Sequence, residues 1–305
     1  LDNKFIFNKK RDFNGLLTVT FGFIRQEFLS YVRCFLPVFI PVFVLTSLAN
    51  MVFHSSSNIA NSMAYGVELT FSGVLNGMIR WGINILYAYF ILASTISYID
   101  LYNSGGAVSG SRARLKAFGL FRSFFPAFSL NLILIIIYSI SLYLFGVEAD
   151  SFLQFILTAA FLIPGLIYTI KFSLFFIVVG VEQKGAFAAF KRSLKLMEGN
   201  WWKSFWALFI ILFVCVVIIW FMDMTLKFII SQVPDDSMSV FVTKLVLFLK
   251  YSVNLAAVFL AMVPAAVFIF INYYNLVERK EAPDLMARIE EIASHDNTRP
   301  FLGEG

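Results

Sequence analysis

Lys171 is the residue whose position most demands chemistry. It lies several turns from either end of an apolar run, 152–181. An ammonium at that depth in hydrocarbon is expensive, and it persists where a carboxylate, a carbonyl or a polar cavity meets it. The plainer alternative is a lysine that snorkels its amine to the boundary. Upstream in the same run stands Pro164-Gly165. Proline removes a ladder donor there, which fits a broken helix at a substrate site or an ordinary kink or close-packing point. Lys171, Pro164 and Gly165 are the candidate intramembrane polar site. His54 and His295 are the two histidines of the chain, and neither has a partner at metal or triad spacing. Paired carboxylates, a nucleophile elbow and a P-loop are all missing, and the Gly/Ser-rich 103–110 link follows no strand. The sequence therefore predicts no catalytic, cofactor-binding or metal-ligating residue, no cofactor, and no enzyme.

A second constellation recognises rather than reacts. In the 182–200 segment, Phe187, Phe190, Leu194 and Met197 fall at spacings of three and four, which predicts one apolar helical face. Lys184, Lys191, Arg192 and Lys195 lie off it. Such a helix lies flat in the headgroup region. Arg112, Arg114 and Lys116, interleaved with Leu115 and Phe118, predict another. These seven cations are the candidate lipid-headgroup contacts. Gly199 suits the left-handed position that ends a helix. Trp201 and Trp202 follow as interface anchors, since indole has a polar edge and an apolar body.

The stretch IPGLIYTIKFSLFFIVVGVEQKGAFAAFKRSLKLMEGNWWKSF resembles a broad family of bacterial six-helix membrane proteins. That family includes the membrane domain attached to some glycerophosphodiester phosphodiesterases. The shared features are Pro164-Gly165, then Glu182, Gly185-Ala186, Arg192-Ser193 with Leu196, and Gly199 with Trp201. The resemblance implies a six-helix bundle in a bacterial inner membrane. It implies no catalysis, because a phosphodiesterase barrel needs about 250 residues of its own.

These groups need elements to hold them. The 305 residues are 59% hydrophobic and 14% charged, with 37 phenylalanines, where soluble domains carry about 25% charge. The expected fold class is all-α: a polytopic integral membrane protein of about six transmembrane helices with amphipathic cytoplasmic surface helices. Residues 1–31 read as a polar lead and an interfacial helix in which Leu17, Phe21, Ile24, Phe28 and Tyr31 share a face. Residues 32–277 read as the transmembrane domain, with spans near 32–53, 74–101, 124–147, 152–181, 201–224 and 251–275. The 241–250 stretch reads as a surface or outer extension. Residues 278–305 read as a cytoplasmic helix and tail. Arg80, near a helix end, is expected to snorkel. The long polar lead predicts no cleavable leader, and Cys34 and Cys215 read as buried thiols.

The formal charge of +5 sits between apolar runs. That pattern favours an orientation signal and anionic lipid as partner, not nucleic acid. It places both termini and the basic loops in the cytoplasm, and the resemblance implies a multi-pass location in a bacterial inner membrane. Spans two, four and six each end near an acid, at Asp100, Glu182 and Glu278. Acid opposes the helix dipole there, so each is expected to find a cation or water. The functional expectation is a non-enzymatic membrane component: a scaffold, assembly or regulatory subunit that contacts lipids and other membrane subunits. The alternative is a transporter or lipid-handling protein.

Overall fold

The computed structural model describes residues 5, 7, 9–53, 71–105, 108–129, 132, 133, 136, 137, 156, 173–231 and 240–281. The described elements are all helical. In chain order they are α1 (Phe13–Val52), α2 (Phe71–Asn103), α3 (Gly110–Ser123), α4 (Phe175–Val181), α5 (Ala186–Met197), α6 (Trp201–Ser231) and α7 (Val240–Lys280). Four of them, α1, α2, α6 and α7, are long and apolar enough to cross a membrane. α7 is the hub of the bundle, with α1, α2 and α6 against it, while α3 packs on α2 and α5 on α4.

The solvent these helices need follows from their surfaces. The most apolar window of α6 has a mean hydropathy of 3.0, yet only 17% of it is buried. Trp206, Phe209, Phe213, Val216, Trp220 and Phe221 are exposed along it. A helix that is apolar all round belongs in a core or in lipid, and α6 is not in a core. Lipid is the environment that accommodates it. α2 is the converse, with 72% of its window buried.

One expected boundary is corrected. The 17–31 segment is not a separate surface helix. It is the first half of α1, a single helix of 40 residues that carries Pro37 and Pro41 inside it. Asp12 caps its start by accepting from the Gly15 amide at 3.0 Å. The buried stripe runs through Leu16, Thr20, Phe23, Tyr31, Phe35 and Phe39. Phe21, expected on the apolar face, is exposed. Packing against the lead and α2 sets that face at Phe23, which meets Phe7 and Tyr102 edge-on at 5.6 and 5.3 Å. The 241–250 stretch extends the 251–275 span as part of the same helix, since α7 runs unbroken for 41 residues through Pro264. At 1.5 Å per residue each of these helices is about 60 Å long, twice a ~30 Å hydrocarbon core. Both therefore project beyond any bilayer they cross.

The polar lead also has an unforeseen role. Phe7 is buried in the core. The Arg11 amide donates to Asn275 Oδ1 at 2.8 Å, and Arg279 donates to the Arg11 carbonyl at 2.5 Å. These bonds tie the chain before α1 to the C-terminal end of α7. The spans expected at 124–147 and 152–181 fall mostly outside the described residues, as do the 54–70 loop and the helix and tail beyond Glu281.

Candidate functional site

α4 ends at Glu182, which follows Val181 as its C-cap. Its carboxylate is the meeting point of three elements. Oε1 accepts from the Tyr273 hydroxyl of α7 at 2.7 Å and from Arg192 Nε of α5 at 3.1 Å. Oε2 meets Lys184 Nζ at 2.5 Å. Arg192 then reaches on to Glu281, just past α7, with both terminal nitrogens, one of them at 2.8 Å. A guanidinium can serve two carboxylates because it carries five donors in a fixed fork. Lys280 adds a 2.5 Å bond to the Lys195 carbonyl.

The electrostatics follow from this geometry. Burial works to raise the Glu182 carboxyl, but the bonds from Lys184, Tyr273 and Arg192 outweigh it and hold it below its ordinary value. Glu281 is also held low, first by its bonds from Arg192 and against the cost of burial. Arg192 is pushed above its usual range by Glu281 first, with burial opposing and Glu182 assisting.

A parallel lock stands one unit earlier. Asp100, near the end of α2, pairs with Lys116 of α3. In both units a helix ends at or near an acid that holds a cation of the short helix after it. On α7 the pairing carboxylate is Glu281, while Glu278 is buried.

Between the two units lies an open cavity of about 650 Å³. Its walls include Lys116, Gly119 and Arg122 from α3 and Gln183, Lys184, Gly185 and Ala186 at the start of α5. A second cavity of about 240 Å³ is lined by Val32, Leu36, Phe39, Phe43, Ala256 and Phe259, with Tyr87 and Ile40 completing it. It is apolar and lies between α1 and α7.

The seven expected headgroup contacts separate into classes. Lys116 and Lys184 line the basic cavity. Arg112, Lys191 and Lys195 are exposed. Arg192 is turned inward to Glu182 and Glu281. Arg114 donates to the Cys34 carbonyl at 2.7 Å, in the turn of α1 that Pro37 disturbs, where a side chain can satisfy loosened backbone. Arg122 lines the cavity, although sequence reasoning did not include it among the headgroup contacts. Lys171, Pro164 and Gly165 lie outside the described residues.

The face of α5 packed on the protein is made of Ala189, Ser193, Leu196 and Met197, while Phe187 is 89% exposed and Leu194 38%; of the four residues expected to share a lipid-facing side, Met197 is the one buried in the protein. Small residues allow the helix to approach its neighbours closely, so Ala189 and Ser193 turn inward and the large Phe187 is left outside. Gly199 does take the left-handed conformation, with φ of +76°. Trp201 stacks on Phe205 at 5.6 Å, and Trp202 is 62% exposed.

Polar groups also mark the far halves of the spanning helices. Asn50 of α1 and Asn84 of α2 exchange amide hydrogen bonds at 3.1 Å in each direction. Ser252 donates to Ser47 at 3.2 Å. Arg80 does not simply reach outward, because its guanidinium lies 5.1 Å from the Tyr251 ring centre, a cation–π geometry.

No family model, no curated protein and no solved structure matches this chain.

Proposed function

We propose that this chain is a non-enzymatic component of a bacterial inner membrane, acting as a scaffold, assembly or regulatory subunit of a membrane complex. One observation carries the reading. α5 is not a loose amphipathic loop, since Arg192 bridges Glu182 and Glu281 and so fastens the helix to α4 and α7. Its outer face, with Phe187, Lys191 and Lys195, is thereby held in a fixed pose. A rigid face with an exposed aromatic and flanking cations suits a partner subunit or an anionic lipid surface.

The reading includes six crossings, both termini in the cytoplasm and the basic layer on the inner side, as the positive-charge distribution favours. It also includes the resemblance to the six-helix bacterial family. The test is mild solubilisation from native membranes, with co-purifying proteins and lipids identified by mass spectrometry. A stoichiometric membrane-protein partner that is lost in Phe187→Ala supports the reading. Recovery of the chain alone, with the same elution in both forms, refutes it.

A second reading, lipid handling, is favoured by the basic cavity between α3 and α5. In it Lys171 and the Pro164-Gly165 break would line an intramembrane path. One tightly retained lipid on otherwise lone protein would favour it over the first.

A further inference from the structure

We infer that the cavity between α3 and the start of α5 is a binding site for a phosphate group of the kind carried by an anionic glycerophospholipid headgroup. Lys116 and Arg122 of α3 and Lys184 of the link before α5 converge on it. The carboxylates that hold the two lysines, Asp100 and Glu182, stand behind the wall and do not line the space. An ammonium has three donors, so each lysine keeps donors for a ligand after its pairing. Arg122 is exposed and has no ion pair among the described residues, which leaves its fork available for a phosphate.

The backbone completes the site. The cavity opens at the first turn of α5, where the amides of a helix N-terminus lack intrahelical partners. Gly185 is the N-cap, and no side chain caps it. A Cβ built on Gly185 or on Gly119 would meet nothing within 4 Å. Nothing covers either wall at those points, so an anion can approach the amides directly. About 650 Å³ exceeds what a bare phosphate needs and falls in the range of small-molecule sites, which suits a substituted phosphodiester.

The lipid source rests on the reading above, that this end of the bundle meets an anionic leaflet. The phosphate chemistry does not, so the two can fail separately. The experiment uses the full chain in a non-ionic detergent and measures binding of dioctanoyl phosphatidylglycerol, dioctanoyl phosphatidylcholine and inorganic phosphate by calorimetry. Phosphatidylglycerol is expected to bind at least tenfold more tightly than phosphatidylcholine. Gly119→Glu places a carboxylate in the cavity without a clash and should weaken phosphatidylglycerol binding by about tenfold or more. Gly185→Asp supplies a better N-cap than glycine while competing for the same amides, so binding should fall with no loss of stability. Arg122→Gln should cost about fivefold. Lys10→Glu, an exposed charge reversal in the lead before α1 and away from the cavity, should change nothing.

Competition by inorganic phosphate would assign the site to the phosphate group alone. Failure of inorganic phosphate to compete would assign it to the whole lipid headgroup, and either result supports the site. Equal binding of the two lipids, or phosphatidylglycerol affinity unchanged in Gly119→Glu and Gly185→Asp, overturns it.

Discussion

Replacing Arg192 with alanine should release α5 from the bundle. The Arg192 side chain is only 18% exposed and Glu182 16%, while Glu281 is 42% exposed. The arm to Glu182 is therefore mostly shielded, and a hydrogen bond to a charged group of that kind is worth about 1.5–3 kcal/mol. The arm to Glu281 is solvated and adds at most about 1 kcal/mol. Glu182 keeps Tyr273 and Lys184, so the full cost of an orphaned carboxylate is not incurred. The sum is about 1.5–4 kcal/mol, mostly as local opening of α5. Hydrogen exchange of the α5 amides in detergent reads this directly. At 1.36 kcal/mol per tenfold, protection should fall by roughly one to three orders of magnitude. Arg192→Lys should recover only part of it, since an ammonium cannot present a planar fork to both carboxylates. Lys191→Ala, the exposed neighbour, is the control. Unchanged protection in Arg192→Ala, or an equal loss in Lys191→Ala, would show that the bridge does not hold the helix.

Three further outcomes follow from the same geometry. Glu182 and Glu281 have folded-state pKa values below their ordinary ones, so their stabilisation is present above the unfolded carboxylate range and is lost as pH falls through the lowered values. Tryptophan fluorescence, with Trp201 and Trp202 next to α5, should report its release on acidification, and Glu281→Gln should flatten part of that transition. Asn50→Leu and Asn84→Leu should each destabilise α1–α2 packing by about 1 kcal/mol, with a coupling near 0.6 in the double-mutant cycle; thermal unfolding of the four proteins measures it, and zero coupling would argue against the paired amides. At Gly180 a Cβ would sit 3.0 Å from Ile96 Cγ2 and 3.5 Å from Leu120, so Gly180→Leu should cost about 1–3 kcal/mol by overpacking, whereas Gly119→Ala should stabilise by roughly 0.5–1 kcal/mol, both read as shifts in unfolding temperature.

How much of this was legible beforehand depends on which physical signal each feature left. The spanning helices α2 and α6 announce themselves by sustained apolarity, and Gly199 by the one backbone conformation glycine favours. The acid-ended spans also pointed to cations in waiting, and Asp100 and Glu182 have them. Partner choice was not legible. Arg192 and Lys191 are adjacent and chemically alike, and only the approach of α5 to α7 turns one toward Glu281 and leaves the other outside. The face that α5 turns to the protein was not legible either, because close packing takes the small Ala189 and Ser193 there and leaves Phe187 outside. In α1 the neighbours Arg25 and Gln26 are exposed while Glu27 is half-buried. Glu27 accepts from the Tyr98 hydroxyl of α2 at 2.7 Å, so a polar residue marks an interhelical contact and not a boundary. The reach of α7 was legible in part, because 241–276 is too long for one span of about 20 residues, but nothing in the sequence says that the extension and the span are one unbroken helix.

The most direct measurement of the account is the side of the membrane on which the locked basic layer lies. Single cysteines at Arg112, Lys191 and Lys195, in a background with Cys34 and Cys215 replaced by serine, can be challenged with a membrane-impermeant maleimide in intact cells stripped of their outer envelope. The account predicts no labelling until the membrane is permeabilised, and then labelling at all three. Labelling of any of them from outside in intact cells would place the layer on the wrong face and contradict the proposed topology.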